Sequence, residues 1–500
     1  MTILAKALTI IIVNGYKERR ESVILRQIDE ARVAKVTNTR YREHYHIQTP
    51  AGWLNDPNGL CFFKGYYHVF YQFHPYSAEW GPMHWGHVRS KDLVHWEDLP
   101  VALVPGDPED SGGCFSGSAI VKDDRLYLVY TGHHYYDDGN QDHFWEDQNV
   151  AYSDDGIHFT KYANNPVIKA PADNSQDFRD PKVWEHDGQY YLVLGSREQE
   201  NNRARILLYQ SSDLLNWQAR GPITESQDIA LEGSMWECPD FFRLNGQDII
   251  ACSPMGIKPQ RHRFLNLSQT GYFVGQLDYD QAHFDHYDLH LLDYGHNFYA
   301  PQSFLTPDGR RIQFAWFSSF DKPMLEQADG WAGALTLPRE LVMRGNRMGA
   351  IPAQETTRLR TGEDLNTLAI IHSPHQLAVT DPQHTEWALT FDLTGNDGQV
   401  SWQIANNDEV LVSLRYDQAS GEVTVHQHNQ ASDRYATIGH LHQLRARIFV
   451  DTSSVEIFLN DGAATFTERY YNDQQPVMTT IAASRPTATA IKAYTLNMKG

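Results

Sequence analysis

The sequence predicts an all-β protein, a five-bladed β-propeller followed by a C-terminal β-sandwich, with a short N-terminal helical extension. The main indication is a tight turn followed by an alternating strand. This unit occurs at Lys64-Gly65, Asp123-Asp124, Asp187-Gly188, Asn245-Gly246 and Asp308-Gly309. The copies are about 60 residues apart, which is close to the length of a propeller blade with long loops.

A second pattern supports the same division into blades. A Ser/Asp turn precedes an aromatic residue in the stretches 90–96, 153–159 and 212–217. Each stretch follows its tight turn by roughly 25–30 residues, as a later strand of the same blade would. A large β-sandwich is the competing interpretation, and the regular spacing favours the propeller.

The chain divides into four predicted parts. Residues 1–45 form an N-terminal extension, within which 17–36 has the apolar spacing of an amphipathic helix. Residues 46–352 are the propeller, and 353–368 are a polar linker with room for a short helix. Residues 369–500 are the sandwich, because short alternating strands are separated by turns. No dense cluster of titratable groups marks the sandwich, so we expect it to be structural or accessory.

Composition excludes several classes of function. The net charge of −21 argues against partners such as nucleic acid or anionic membrane surfaces. The four cysteines form no CxxC pair, which favours reduced thiols in a cytoplasmic protein. The apolar run 3–13 lacks a charged start and a cleavage site, and we interpret it as non-targeting. The spacing of His84, His87, His133 and His134 fits no closed zinc pattern, so neither a metal nor another cofactor is predicted.

Three acids precede the tight turns at nearly the same distance. Asp56, Asp180 and Glu237 lie 8 or 9 residues before the glycine of their turn, and Ser116 and Tyr299 hold similar positions in the other blades. The first strand of each blade lines the central channel, so we expect these side chains to meet at one end of it. Acids in solvated loops are the alternative, which the matched spacing disfavours.

The local sequence and the chemistry of the acids agree with a catalytic site. Pro57 restricts Asp56 to an extended conformation, and Asn58-Gly59 supplies a turn directly afterwards. Hydrolysis of a glycoside with retention uses one carboxylate as the nucleophile and a second carboxyl group as the acid/base. Crowding of three carboxyl groups would raise the pKa of one of them, as the acid role requires.

Each of the three acids lies in a distinctive motif: WLNDPNG at 53–59, FRDP at 178–181 and WECPD at 236–240. These motifs resemble the nucleophile, stabiliser and acid/base motifs of glycoside hydrolase family 32, the family of invertases and sucrose-6-phosphate hydrolases. The stretches 80–87, 114–118, 295–300 and 330–337 are similar to those of intracellular bacterial sucrose hydrolases in particular. The resemblance runs through the whole chain and implies the same propeller and sandwich that the repeats predict.

The resemblance also implies roles for individual residues. Asp56 would form a covalent fructosyl intermediate, Glu237 would protonate the leaving oxygen and then activate water, and Asp180 would bind fructose hydroxyls. Cys238 would tune the pKa of a neighbour rather than act as a nucleophile. The substrate-binding positions that the resemblance implies are Trp53, Leu54, Asn55, Gln72, Trp80, Phe115, Ser116, Arg179, Tyr299 and Trp316. Two departures bear on leaving-group preference: Met255 replaces a frequent Gln, and Ser318-Ser319-Phe320 replaces a more acidic stretch.

The predicted function is therefore that of a retaining β-fructofuranosidase. Its partner would be a small sugar, namely sucrose, sucrose 6-phosphate or a short fructooligosaccharide, and the oligomeric state is left open. A fructosyltransferase or fructan hydrolase is one alternative. A non-catalytic sugar-binding propeller is another, against which the intact set of acids argues. A basic cluster at Lys258, Arg261, His262 and Arg263 either holds a substrate phosphate or is a solvated loop, and we favour the loop.

Overall fold

The structure is a computed structural model that describes residues 27–497. The described residues form seven β-sheets and only short helices, which confirms the predicted all-β class. The helices are the α-helix α1 (Ile229–Glu232) and the 3-10 helices Glu30–Arg32, Leu325–Asp329 and Gln354–Leu359. Among these residues, no helix combines the length and the apolar character needed to cross a membrane.

Five of the sheets formed by the described residues are propeller blades. The first blade has β1 (Gly52–Phe63), β2 (Tyr66–His74), β3 (His84–Ser90) and β4 (Trp96–Asp98), and the second has β5 (Gly113–Lys122), β6 (Arg125–Tyr135), β7 (Phe144–Ser153), β8 (Thr160–Lys161) and β9 (Ile168–Lys169). The third has β10 (Asn174–His186), β11 (Gln189–Glu198), β12 (Ala204–Ser211) and β13 (Gln218–Glu225). The fourth has β14 (Met235–Leu244), β15 (Gln247–Met255), β16 (Gly271–Asp278), β17 (His283–His286) and β18 (His290–Leu291). The fifth has β19 (Tyr299–Leu305), β20 (Arg311–Trp316), β22 (Arg339–Arg344) and β23 (Arg347–Pro352), whereas β21 (Trp331–Ala332), between β20 and β22 in the chain, pairs with β1 of the first blade.

The first strands of the blades close into a ring. Strand β1 contacts β5, β5 contacts β10, β10 contacts β14, β14 contacts β19, and β19 contacts β1. The predicted tight turns connect each first strand to the second strand of its blade. At Lys64-Gly65, Asp187-Gly188 and Asn245-Gly246, both turn residues have positive φ. That conformation matches the twist of the flanking strands, which is why the Gly-containing repeat identifies the blades.

The last two sheets of the described chain pack face to face as the sandwich. Their strands are β24 (Arg360–Ile371), β25 (His375–Leu377), β26 (Thr385–Asp392), β27 (Gln399–Ala405), β28 (Val410–Asp417), β29 (Glu422–Gln427), β30 (Arg434–Thr437), β31 (Gln443–Asp451), β32 (Ser454–Leu459), β33 (Ala464–Arg469), β34 (Met478–Ala483) and β35 (Thr487–Leu496). One sheet has the order β24-β35-β26-β31-β32-β33, and the other has the order β25-β34-β27-β28-β29-β30. Trp387, Trp402, Ile448 and Phe466 are fully buried between them.

The structure differs from the sequence interpretation in two segments. Of the predicted linker 353–368, the first part is the 3-10 helix Gln354–Leu359 and the rest is β24. Strand β24 lies at a sheet edge, and most of its side chains are exposed on both faces. Its sequence therefore lacks the alternation of apolar and polar residues by which a half-buried strand is recognised. Of the predicted helix 17–36, residues up to 26 lie outside the described residues. The remainder holds only the turn Glu30–Arg32, after which the Ala34 N–H donates to the Pro75 carbonyl oxygen.

A buried ionic network joins the propeller to the sandwich. The imidazole of His46 lies between Asp451 (2.7 Å) and Glu456 (3.0 Å), and Arg339 contacts both Glu456 and Asp293. Glu43, His46 and Asp451 are close enough together to share a metal ion. Hydrogen bonds already occupy both imidazole nitrogens, and the Glu43 carboxylate accepts from Ser453 and Ser454. These contacts account for the cluster as an interface network.

Candidate active site

A β-bulge interrupts the first strand of every blade at the same place. In β1, Asn55 and Asp56 together face the single residue Gln72 of β2. Equivalent shifts follow Phe115 in β5, Arg179 in β10, Glu237 in β14 and Tyr299 in β19. In a regular strand, adjacent side chains point to opposite faces, and a bulge re-aims them. The bulges therefore let neighbouring side chains, such as Arg179 and Asp180, reach one cavity.

The bulges also correct the predicted register by one residue. Asp180, Cys238 and Ala300 each precede a proline and have φ of 65°, 50° and 49°. By this conformation Asp180 aligns with Cys238, whereas Glu237 aligns with Arg179 and Tyr299. Counting residues back from the turns could not show this offset. The prediction that the acids of three blades converge is unaffected.

Asp56 is buried and surrounded by hydrogen-bond donors. Its Oδ1 accepts from Asn55 Nδ2 (3.0 Å), and its Oδ2 accepts from Ser116 Oγ (2.8 Å). The Cys238 thiol lies 3.5 Å from the same Oδ2. The Trp53 indole N–H donates to Asn55 Oδ1 (2.7 Å), which orients the Asn55 amide towards Asp56. These contacts fix the carboxylate in one direction and favour its ionised form.

Glu237 lies between a cation and a phenol. Its Oε1 accepts from Arg179 Nη2 (2.8 Å) and Nε (3.2 Å), and its Oε2 accepts from the Tyr299 hydroxyl. Arg179 is held in turn by Asp177 (2.7 Å) and Glu146 (3.2 Å). Both oxygens of Glu237 are therefore positioned, while the residue still lines the cavity.

Asp180 is connected to Asp56 through Cys238. Its Oδ2 accepts from the Cys238 backbone N–H (2.8 Å), and its own N–H donates to Thr131 Oγ1 (2.9 Å). The Cys238 backbone thus contacts Asp180, while the Cys238 thiol faces Asp56. Burial raises the pKa of this thiol well above its usual value, so Cys238 acts as a donor. It is not suited to act as a nucleophile.

Burial raises the pKa of both aspartates, and it raises that of Asp180 more than that of Asp56. It raises the pKa of Asp56 to about 6, against the hydrogen bonds from Ser116 and Asn55. It raises the pKa of Asp180 to about 8, against the charge of Arg179, and the charge of Glu237 raises both values further. Asp56 therefore ionises at lower pH than Asp180. At neutral pH, a charged Asp56 lies in the same cavity as a protonated Asp180.

These acids line a cavity of about 560 Å³. The predicted site residues that line it are Asn55, Asp56, Gln72, Trp80, Phe115, Ser116, Arg179, Asp180 and Glu237. The other four predicted residues lie behind it. Trp53 contacts Asn55 and packs edge-on against Trp316, with ring centroids 5.6 Å apart, and Leu54 is fully buried. Tyr299 reaches the site through its hydrogen bond to Glu237.

The structure adds lining residues that were not predicted for the site. His133 stacks on Phe115 at 4.1 Å, and its Nδ1 lies 3.1 Å from Glu146. His133 lies on β6 and Glu146 lies on β7, whereas the site was predicted from the first strands of the blades alone. Met255 and Phe320, which the sequence marked only as departures, also line the cavity. The remaining additions are Met83, Tyr135, Gln141, Asp142 and Phe144.

We expect Asp180→Asn to stabilise the fold at high pH. Folded Asp180 keeps its proton up to about pH 8, whereas an unfolded aspartate releases it near pH 4. The folded state thus binds more protons between these values, and the free energy of unfolding falls as pH rises. Because asparagine cannot ionise, the variant should gain on the order of a few kcal/mol near pH 9 and little near pH 4.

Urea unfolding at both pH values tests this expectation. Asp408→Asn, in an exposed loop of the sandwich, is the matched control and should leave both curves unchanged. A variant no more stable than wild type near pH 9 would contradict the buried, protonated state of Asp180.

Comparisons with known proteins agree with this geometry. Residues 46–352 match the model of the glycosyl hydrolases family 32 N-terminal domain, and residues 355–495 match that of the family 32 C-terminal domain. The sucrose-6-phosphate hydrolase of Bacillus subtilis is 38% identical over 443 residues, covering 86% of this chain and 89% of the relative. The raffinose invertase of Escherichia coli is 39% identical over 437 residues, covering 85% and 89%.

Solved structures show the same fold. A GH32 β-fructofuranosidase mutant of Bombyx mori in complex with sucrose has a TM-score of 0.82 and 38% identity, covering 93% of this chain and 95% of that one. The sucrose-6-phosphate hydrolase of Lactobacillus gasseri has a TM-score of 0.83 and 28% identity, covering 93% and 94%. With both domain models matched in order along its length, the chain belongs to glycoside hydrolase family 32.

Proposed function

We propose that the protein is a retaining β-fructofuranosidase that hydrolyses the terminal β-fructoside bond of sucrose or sucrose 6-phosphate. The observation that carries the proposal is the meeting of Asp56, Asp180 and Glu237, from three blades, in one cavity. Relatives named sucrose-6-phosphate hydrolase and raffinose invertase, and a similar structure in complex with sucrose, support this substrate class.

Asp56 is the nucleophile in this proposal. It ionises more readily than Asp180, and three donors hold it in one direction. In the first step, its carboxylate forms a bond to the anomeric carbon of the fructosyl unit as the bond to the glucosyl oxygen breaks. A covalent fructosyl ester on Asp56 results, as retention of configuration requires.

Glu237 is the acid/base. The protonated form of Glu237 gives its proton to the departing glucosyl oxygen in the first step, and the carboxylate that remains takes a proton from water in the second. That water attacks the anomeric carbon and releases Asp56 as a free carboxylate. The hydrogen bonds from Arg179 and Tyr299 keep Glu237 in place through both steps.

Asp180 is a binding group for the fructosyl hydroxyls. Its left-handed backbone and its bond from the Cys238 N–H aim the carboxyl group into the cavity. Hydrogen bonds to sugar hydroxyls that strengthen in the oxocarbenium-like transition state lower the barrier.

Cavity charge favours sucrose over its phosphate. Arg179 is the only arginine or lysine among the described residues that line it, and three carboxylates already engage it. Asp142 and Glu146 add to the three central acids, so a phosphate group would enter a negative field. The half-exposed Trp80, Met255 and Phe320 instead offer apolar surfaces, which suit the face of an uncharged sugar.

Three measurements test the proposal. We expect kcat/KM for sucrose to exceed that for sucrose 6-phosphate, and the reverse order would contradict the charge argument. With methanol as the competing acceptor, the retaining mechanism gives methyl β-fructofuranoside. An α product would rule the mechanism out. The ratio of oligosaccharide products to free fructose at high sucrose concentration separates hydrolysis from fructosyl transfer.

We also propose an intracellular location and no metal or cofactor. All four cysteines are free thiols and buried, which supports a reducing compartment. The proposed chemistry needs only carboxyl groups and water. Full activity after exhaustive dialysis against a chelator is the expected result.

A further inference from the structure

A second cavity, of about 550 Å³, lies between the fourth and fifth blades and the sandwich. Its propeller wall includes His290 and the turn from β22 to β23, and its sandwich wall includes Tyr435 and the turn from β32 to β33. The volume is within the range of small-molecule sites. A ligand held there would touch both halves of the molecule.

The lining of this cavity is basic, in contrast to the chain as a whole. Arg263, Arg344 and Arg347 line it, and Asp288 is the only acid among the described residues that do so. No described carboxylate lies within ion-pair distance of any of these arginines, although most other arginines of the structure are paired. Three positive charges therefore face one negative charge.

Existing contacts position two of the guanidinium groups without neutralising them. Arg263 Nη2 donates to the Leu289 carbonyl oxygen (3.2 Å). Arg344 Nη1 donates to the carbonyl oxygens of Asn460 (2.6 Å) and Asp461 (2.9 Å). Each guanidinium has five N–H donors, so most donors of both groups are left for a ligand.

The remaining polar groups complete the lining. Burial, together with the charges of Arg347 and Arg263, lowers the pKa of His290. A neutral His290 ring keeps one N–H to donate. Also from the propeller, His262 stacks on Tyr435 of the sandwich wall at 3.8 Å and pairs with Glu422 at 2.8 Å. The cavity thus combines arginine forks with an aromatic surface.

We propose that this cavity binds a phosphate monoester or free phosphate. Arginine forks match the geometry of phosphate oxygens and bind them through paired, charge-assisted hydrogen bonds. Two residues of the basic cluster predicted from the sequence, His262 and Arg263, line this cavity and do not line the active site. A phosphate bound by that cluster would therefore lie here and not in the active site. This binding is independent of the proposed hydrolysis.

Thermal unfolding of the full chain tests the inference. Inorganic phosphate and glucose 6-phosphate are titrated separately, with sodium chloride keeping ionic strength constant. A ligand of the folded state raises Tm by an amount set by the ratio of its free concentration to Kd, so fitting Tm against ligand concentration gives a Kd from each titration. Arg263→Ala and Arg347→Ala should each weaken that Kd by about 10-fold or more, as loss of a charge-assisted contact does. Arg415→Ala, an exposed arginine of the sandwich, is the matched control and should leave it unchanged.

The outcomes are distinct. Tighter binding of glucose 6-phosphate would identify a phosphorylated sugar as the ligand, and equal binding would identify free phosphate. A Tm rise no larger than that with chloride, or equal Kd values in wild type and both cavity variants, would overturn the inference. Sucrose hydrolysis is measured in parallel and should be unchanged in both variants. A failure of the proposed hydrolysis would not alter the Tm result.

Discussion

We expect Asp56→Asn to reduce kcat for sucrose hydrolysis by at least about 10⁴-fold while the protein stays folded. The amide has the shape of the carboxylate but cannot form the fructosyl ester. The Ser116 hydroxyl, which donates to Asp56, can rotate to accept from the new amide. Loss of a buried charge should also keep Tm at or above the wild-type value, since burial opposes ionisation of Asp56.

Glucose release and thermal unfolding together measure this effect. Asp142→Asn is the matched control, because Asp142 lines the same cavity but is exposed at its rim. We expect the control to keep kcat within about 3-fold of wild type, as for surface changes outside the chemistry. If Asp56→Asn kept comparable activity, the nucleophile would have to be another carboxylate, and the role proposed for Asp56 would be wrong.

The sequence was sufficient to predict the five blades and the meeting of the three acids at one end of the channel. Turn residues such as Gly65 and Gly188 are dictated by local backbone conformation, so they repeat visibly along the chain. The residues that follow from local rules, including Pro57 beside Asp56, could be placed on the first strands. Family motifs then added roles that local physics alone does not assign.

Long-range packing determines what the sequence could not predict. The one-residue offset between Asp180 and Glu237 depends on bulges, which appear only when each strand is paired with its neighbour. Glu146 reaches Arg179 from an adjacent blade, at a distance that no spacing within one strand encodes. Strand β24 carries no alternation because its side chains are exposed at a sheet edge, so a polar linker was the natural interpretation.

Glu237→Gln should slow the two steps of the reaction unequally. Glucose leaves sucrose as an alkoxide unless it is protonated, so loss of the acid should lower kcat for sucrose by about 10²–10⁴-fold. An aryl β-fructofuranoside has a leaving group that needs no proton, and its first step should be nearly unaffected. The fructosyl ester on Asp56 would then accumulate, because no base activates water for the second step. Rapid mixing should show a burst of aryl alcohol followed by slow turnover.

Azide provides the decisive check on that assignment, since it is a strong nucleophile that needs no general base. In Glu237→Gln, azide should restore aryl-fructoside turnover and give β-fructosyl azide, whereas wild type should gain little. Arg179 and Tyr299 would still hold the glutamine amide in place, so a general loss of structure does not predict this rescue. Equal slowing of sucrose and aryl substrate, with no rescue, would instead mean that Glu237 acts only by fixing Arg179 and Tyr299, and the proton would have to come from another group.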